Sequence, residues 1–284
     1  MSSLKKISFF VCFLIFSFNA FADKAISIGE ATKKGWVKLL VKGKGGYTGD
    51  VISLKIKNLK DEVVKLTVEA GRRLDSQDSM QQDILVNKEA IFTLLPKQER
   101  TFDISGMCCQ AHHASPSKDE VFSIGKMADS NLIKIACFID RNKWWDNYIA
   151  QSAVWVISDN ERMENIGGND SVSKKLQVFV SKLTGKPIPI YKIDYEPDTS
   201  VAFSGKPGKI SGTFEYDIYD YGLVAFGIYD EQGHAVKVFF NGVPKNAGHH
   251  TCNYSFETSY LPPGNYYARL RLDGQIKKEQ KFTF

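Results

Sequence analysis

The sequence predicts a mainly β chain with a helical subdomain: an Ig-like β-sandwich plus helices, followed by a C-terminal Ig-like β-sandwich. Three observations lead there. Apolar and polar residues alternate from about Asp50 to Ile104 and again from Ile210 to the end, the period of half-buried strands. Between about 118 and 185 the apolar period lengthens to helical spacing. A proline-marked stretch, "GKPIPIYKIDYEPDTS", separates the two β-rich regions. The expected division is 1–22 as a leader, 23–190 as the first domain, 191–200 as a linker and 201–284 as the second sandwich.

The leader reads "MSSLKKISFFVCFLIFSFNAFADKA". Lys5 and Lys6 precede an apolar run from Ile7 to Phe18, and Ala20-Phe21-Ala22 supplies small residues for cleavage after Ala22. That pattern predicts a secretory signal peptide and a secreted or cell-surface location, the periplasm being the alternative. The apolar run falls short of the roughly 20 residues a membrane span needs, and no later segment supplies one. Loss of 1–22 removes two lysines and no acid, so the formal charge falls from +5 to +3. A charge that small and dispersed does not suggest a nucleic-acid partner. Apolar residues at 43% and aromatics at 12% are enough for packed cores.

Residues 23–48 read as a leader strand and an exposed turn. Ile52, Leu54 and Ile56 share one face, Val64, Leu66 and Val68 another, and "AIFTLLPKQERTFDIS" supplies two more strands broken at Pro96. Together they predict a sandwich over about 27–108, with the polar "RRLDSQDSMQQD" as a loop or edge. Helices are expected over about 118–185. Their stripes are Leu132, Ile135, Ala136 and Ile139; then Tyr148, Ser152 and Trp155 flanked by Ile149 and Val156; then Leu176, Phe179, Val180 and Leu183, closed by Gly185 and Pro187. Such stripes need a partner surface, which the first sandwich would provide. In the second sandwich the alternation is clearest: Phe214, Tyr216 and Ile218; Val224, Phe226 and Ile228; Val236, Val238 and Phe240; Cys252, Tyr254 and Phe256; Tyr266, Ala268, Leu270 and Leu272; then Ile276, Phe282 and Phe284.

The C-terminal stretch carries Ile228-Tyr229-Asp230 with Gly233, then Leu261, Pro263-Gly264 and Tyr266, then Arg269-Leu270, Asp273-Gly274 and a basic strand from Lys277 to Lys281. With these features, about 201–284 resembles the C-terminal sorting domains of proteins exported by type IX secretion, and the Ig-like module of flagellar hook-capping proteins. The resemblance implies a module for sorting or docking, with secretion machinery as a partner.

"GMCCQAHHASPS", from Gly106 to Ser117, offers three chemistries. An exported chain folds where disulfides form. Phe102, Ile104 and Cys108 share a strand phase, and Cys137 lies beside an apolar helix face, so a Cys108–Cys137 disulfide is expected, with Cys109 as the alternative to Cys108. Cys252 reads as a buried thiol of the second sandwich. Cys108, Cys109, His112 and His113 are a candidate metal set, although structural zinc sites usually draw on two separated pairs. "AQSAVWVISD" is similar, through Gln151 and Ala153-Val154-Trp155, to the glutamine motif of thioester domains in bacterial adhesins. That resemblance implies a bond from Cys108 or Cys109 to the Gln151 side chain and covalent capture of an amine. The plain reading makes Gln151 an exposed neighbour of an apolar helix face.

Hydrolase, zinc-protease and phosphate-loop motifs are missing from the sequence. Trp144 and Trp145, at a helix start, are candidates to face a ligand. The expectation is therefore an exported, non-enzymatic protein without a cofactor, used for binding, adhesion or structure. Its partner would be protein or glycan at the cell surface or in the periplasm. The alternative is a covalent thiol protein built on Cys108 or Cys109 with Gln151.

Overall fold

A computed structural model describes residues 25–168, 170–198 and 204–283. The expected leader, part of the expected linker and Phe284 lie outside the described residues. The mainly β class with a helical subdomain holds. Among the described residues no helix is long and apolar enough to cross a membrane.

The first domain opens with β1 (Ile26–Ser27), helix α1 (Ile28–Lys33) and β2 (Val37–Lys44). It continues through β3 (Thr48–Asn58), β4 (Val64–Val68), β5 (Arg72–Ser76), β6 (Ile84–Val86), β7 (Ala90–Leu94), β8 (Glu99–Cys108) and β9 (Lys118–Met127). The expected strands are present, but they do not form a sandwich. Six close into a barrel in the order β2-β3-β8-β6-β5-β9, and a separate sheet β1-β4-β7 packs beside it. Closure removes the free edges that two flat sheets would leave. Two stretches depart from the sequence expectation for the same reason. Part of the polar "RRLDSQDSMQQD" is strand β5, and the chain from Lys118 is strand β9 instead of helix, each pairing with two barrel neighbours. The expected leader strand contains α1, whose Ile28 and Ala31 are fully buried in the barrel core.

Gly106 shows how closely β8 and β6 approach. A Cβ there would lie 2.3 Å from Ile84 Cγ2, so only glycine fits. Alternation then splits these two strands between two cores. Ile84, Val86 and Cys108 face into the barrel, while Leu85, Met107 and Cys109 face outward to the helices.

The helices are α2 (Ser130–Asn142), α3 (Tyr148–Ser158) and α4 (Ser171–Thr184), with a single 3-10 turn at Met163–Asn165. Asp129, Asn147 and Asp170 cap their N-termini with side-chain oxygens, and Gly185 ends α4 in the left-handed conformation. The stripes of α2 and α4 are buried as expected at Leu132, Ile135, Ala136, Ile139, Leu176 and Val180. Helix α3 differs. Tyr148 is exposed, whereas Ile149 to Gln151 and Ala153 to Val156 are all buried. It lies between α2, α4 and the outer face of β8, so it has no solvent stripe.

The second domain comprises β10 (Tyr191–Tyr195), β11 (Pro207–Ile218), β12 (Gly222–Tyr229), β13 (Ala235–Lys245), β14 (Gly248–Glu257), β15 (Asn265–Leu272) and β16 (Gln275–Thr283). Sheets β10-β11-β14 and β13-β12-β15-β16 face each other across a core rich in Phe and Tyr, as the alternation implied. Residues 191–195, expected in the linker, form β10 and pair antiparallel with β11. In β13 the strict alternation fails: Val238 is half exposed while Phe239 and Phe240 both reach the core, because register shifts interrupt its pairing with β12.

Polar contacts join the two domains. Arg162 donates to the Thr283 carbonyl at the end of β16 and to Tyr191 Oη at 3.3 Å. Tyr191 donates to Glu164 at 2.6 Å, and Tyr195 donates to Asn165 at 2.6 Å. Burial first, and then the Glu164 acceptor, hold the Tyr191 phenol well above its usual range, so it stays a donor. The 3-10 turn is thereby seated on β10.

Candidate functional site

The Gly106–Ser117 stretch is a turn pinned by side chains from three elements. Gln110 Nε2 donates to Asp83 at 2.9 Å, and its Oε1 accepts from Asp83 N at 2.7 Å. Gln82 Oε1 accepts from Gln110 N, and Arg73 braces Asp83 at 2.8 Å. On the helix side, Asp159 accepts from Ala111 N at 2.7 Å. Sequence reasoning missed Gln82, Asp83, Gln110 and Asp159. The first two are hidden in the polar stretch that read as a loop or edge, and nothing local points toward residue 110.

All four described cysteines are free thiols. The expected Cys108–Cys137 disulfide is not formed: Cys108 is fully buried in the barrel core, while Cys137 is exposed on α2. Cys137 follows the buried stripe residue Ala136, and the turn of the helix carries it to the outer side. Cys252 is only half-buried, because β14 is an edge strand. Burial raises both adjacent thiols, Cys108 well above the usual range and Cys109 to about 12, the latter helped by Asp83. Neither is a thiolate at neutral pH. Titrating folded residues 23–284 with a bulky thiol reagent will therefore modify Cys137 at once and Cys252 more slowly. Cys108 and Cys109 will react only on unfolding, giving four thiols in denaturant without reductant. Rapid native labelling of Cys109 would contradict the burial.

The candidate metal set does not converge. Cys108 and Cys109 face different cores, His112 is exposed and paired with Glu161 at 2.7 Å, and His113 is exposed on the turn. Among the described residues no group of three His, Cys, Asp or Glu side chains could hold a metal ion.

Gln151 and Cys108 do meet. Gln151 is fully buried. Its Oε1 accepts from Cys108 N at 2.9 Å and its Nε2 donates to Cys108 O at 2.8 Å. The carboxamide thus pairs with the main chain of β8 as another strand would, and fastens α3 to the barrel. The hydrogen bonds run to the cysteine's backbone and leave its sulfur in the barrel core.

Trp144 and Trp145 are half-buried and serve packing. Trp144 meets Phe138 edge-on at 5.7 Å. Trp145 donates from its indole to Asp140 at 2.8 Å and lies under Lys88, while its carbonyl accepts from Thr48, Gly49 and Asn87. These contacts hold the α2–α3 turn against the barrel mouth.

A concavity lies elsewhere, between α4, the prolines before β10 and the second domain. Its volume is about 660 Å³, within the range of ligand sites and at a domain boundary where such sites concentrate. Ile188 and Ile190 leave 47% and 58% of their surface exposed along one wall. Lys174, Lys192 and Lys278 line it, with Glu215 as its acid. The Tyr254 hydroxyl, buried at its base, has no hydrogen-bond partner among the described residues. A smaller concavity of about 220 Å³ shares Glu215 and Lys278 with it and adds Lys277.

No family model, curated protein or solved structure matches this chain. The site must therefore be read from its own chemistry.

Proposed function

We propose that this chain is an exported, non-enzymatic binding protein, in which the helical subdomain and the C-terminal sandwich act as one receptor unit. The observation that supports this most is the lysine-lined cleft between them, with exposed isoleucines and an unpartnered buried hydroxyl. The turn at Gly106 supports it from the other side: its thiols are un-ionised and its polar groups hold structure. The leader supports export, and the features shared with type IX sorting domains support a sorting or docking role for the second sandwich. Protein or glycan at a bacterial surface or in the periplasm is the partner class.

Two measurements test the reading. Expression of the full chain in a bacterial host should yield exported protein beginning at Asp23, and retention in the cytosol with the leader intact would overturn it. On arrays of acidic peptides and acidic glycans the mature protein should bind, and reversing two exposed charges, K174E with K277E, should weaken that binding at least fivefold. Binding unaffected by the reversal would remove the cleft as the site. Normal export of a chain lacking 201–284 would count against the sorting role.

A second reading, an internal thioester, rests on the nearness of Gln151 to Cys108 and requires a sulfur to turn from its core to the carboxamide, which now bonds the Cys108 main chain. The Cys108 or Cys109 thiol would displace ammonia from the Gln151 carboxamide, the sulfur bonding to the carbonyl carbon. Such a protein would show one thiol fewer in denaturant, a mass lower by one ammonia, and adduct formation with methylamine.

A further inference from the structure

The cleft has a feature that cavity shape alone does not convey: it exposes an unpaired strand edge. Strand β10 covers β11 only as far as the pair Tyr191↔Gly212. Among the described residues no strand pairs with β11 on that side from Phe214 to Ile218, although β14 pairs with its other side along that whole length. Strand β10 begins only at Tyr191, two residues past Pro189, so it ends before it could pair with this stretch.

The open edge is oriented for pairing. Lys278 Nζ, from the edge strand of the facing sheet, donates to the Glu215 carbonyl at 2.6 Å. That carbonyl therefore points into the groove. In an antiparallel ladder the N–H and C=O of a residue point the same way and alternate along the strand, so Asp217 presents its main chain to the same side. The two concavities share Glu215 and Lys278 and run on along this edge, between β11 and β16. Tyr216, Ile218, Val224 and Leu270, all core residues, floor the narrower part.

The charges select the occupant. Asp217 is paired with His249 and Lys192 with Asp194. Among the described residues Lys174 and Lys277 enter no ion pair, Lys277 donating to the neutral Gln275 amide, and Lys278 is held by a neutral carbonyl and the Phe214 ring. Against these three cations the groove sets two carboxylates, Glu215 and Asp217, the second hydrogen-bonded to the His249 ring. An arriving strand would place alternate side chains on the apolar floor and the others beside the lysines.

We propose that this groove takes up an extended peptide segment of a partner protein, apolar and acidic residues alternating along it, by adding it as a strand to the open edge of β11. This rests on the reading of the cleft as the binding place and names its ligand class.

The test uses the full mature chain and a fluorescein-labelled, end-capped octapeptide of alternating glutamate and valine, followed by fluorescence anisotropy. Saturable binding is expected. The K174E/K277E protein should bind at least fivefold more weakly, and adding salt should weaken binding by wild type. A peptide N-methylated at alternate amides, or one with lysine for glutamate, should lose binding at least tenfold. Equal binding of either altered peptide would overturn the proposal, as would no binding of the first. So would a concentration-dependent dimer of the chain that the peptide does not dissociate, since a second copy would then occupy the edge. An oligogalacturonate probe keeps the two levels apart. If it binds, K174E/K277E weakens it and the peptide fails, the strand-addition proposal falls while the cleft reading survives. If neither probe responds to the charge reversal, both fall.

Discussion

Replacing Gln151 by leucine will destabilise the protein by about 3 kcal/mol, although leucine is the more apolar residue. The substitution leaves the Cys108 carbonyl facing a hydrocarbon wall and takes one acceptor from its N–H, which retains only Tyr47 O at 3.2 Å. A buried backbone group left unsatisfied costs roughly 1–3 kcal/mol. Chemical denaturation measures the loss, and a change below about 1 kcal/mol would show that the carboxamide pairing contributes little. Gln151→Glu sharpens the test. A carboxylate at this fully buried position would set a negative oxygen against the Cys108 carbonyl, where Nε2 now donates. Burial favours the protonated form and raises the folded-state pKa above the unfolded value of about 4.3. The contribution of the protonated acid is then fully present below about pH 4. It begins to fall as pH rises past that value and keeps falling until the folded-state carboxyl itself ionises. The difference in stability between wild type and Q151E should therefore widen from pH 4 upward. A pH-independent difference would mean that the side chain has swung out to water.

Phe226→Ala will cost about 3–5 kcal/mol, the usual range for emptying a buried phenylalanine site. Phe226 is fully buried at the centre of the second sandwich, with Phe214, Phe239, Phe240 and Tyr254 around it at centroid distances of 5.1 to 5.9 Å. The cores of barrel, helices and sandwich share no residues. Hydrogen exchange should therefore accelerate in β11 to β16 while the barrel strands keep their protection. Equal acceleration everywhere would show that the seam at Arg162 and Tyr191 makes the two domains one cooperative unit.

These two residues stand at opposite ends of what could be read from the sequence. Phe226 was legible because β12 buries one face and its neighbours Val224 and Ile228 repeat at period two. The stripes of α2 and α4 were legible for the same reason: one side of each element meets water. Where that condition fails, the reading fails. Helix α3 is covered nearly all round and shows no stripe, so its expected face was misplaced. Strand β9 has a single fully buried residue, Phe122, and so has no apolar period; pairing on both sides makes it a strand. Strand β5 buries Arg72, which donates to Glu69, Ser27 and the Gly125 carbonyl, and a charged residue inside a barrel wall looks like loop.

The sequence by itself determined the β-rich class, the helical middle, the second sandwich and the leader pattern, all of them consequences of which residues avoid water locally. Only the tertiary structure decided that the first sheet closes into a barrel, that the carboxamide of Gln151 meets the backbone of Cys108 and not its sulfur, and that β11 keeps an open edge beside three lysines. Each of these depends on how elements far apart in the chain dock, to within a fraction of a hydrogen-bond length, and a periodic pattern within one element carries no record of that offset.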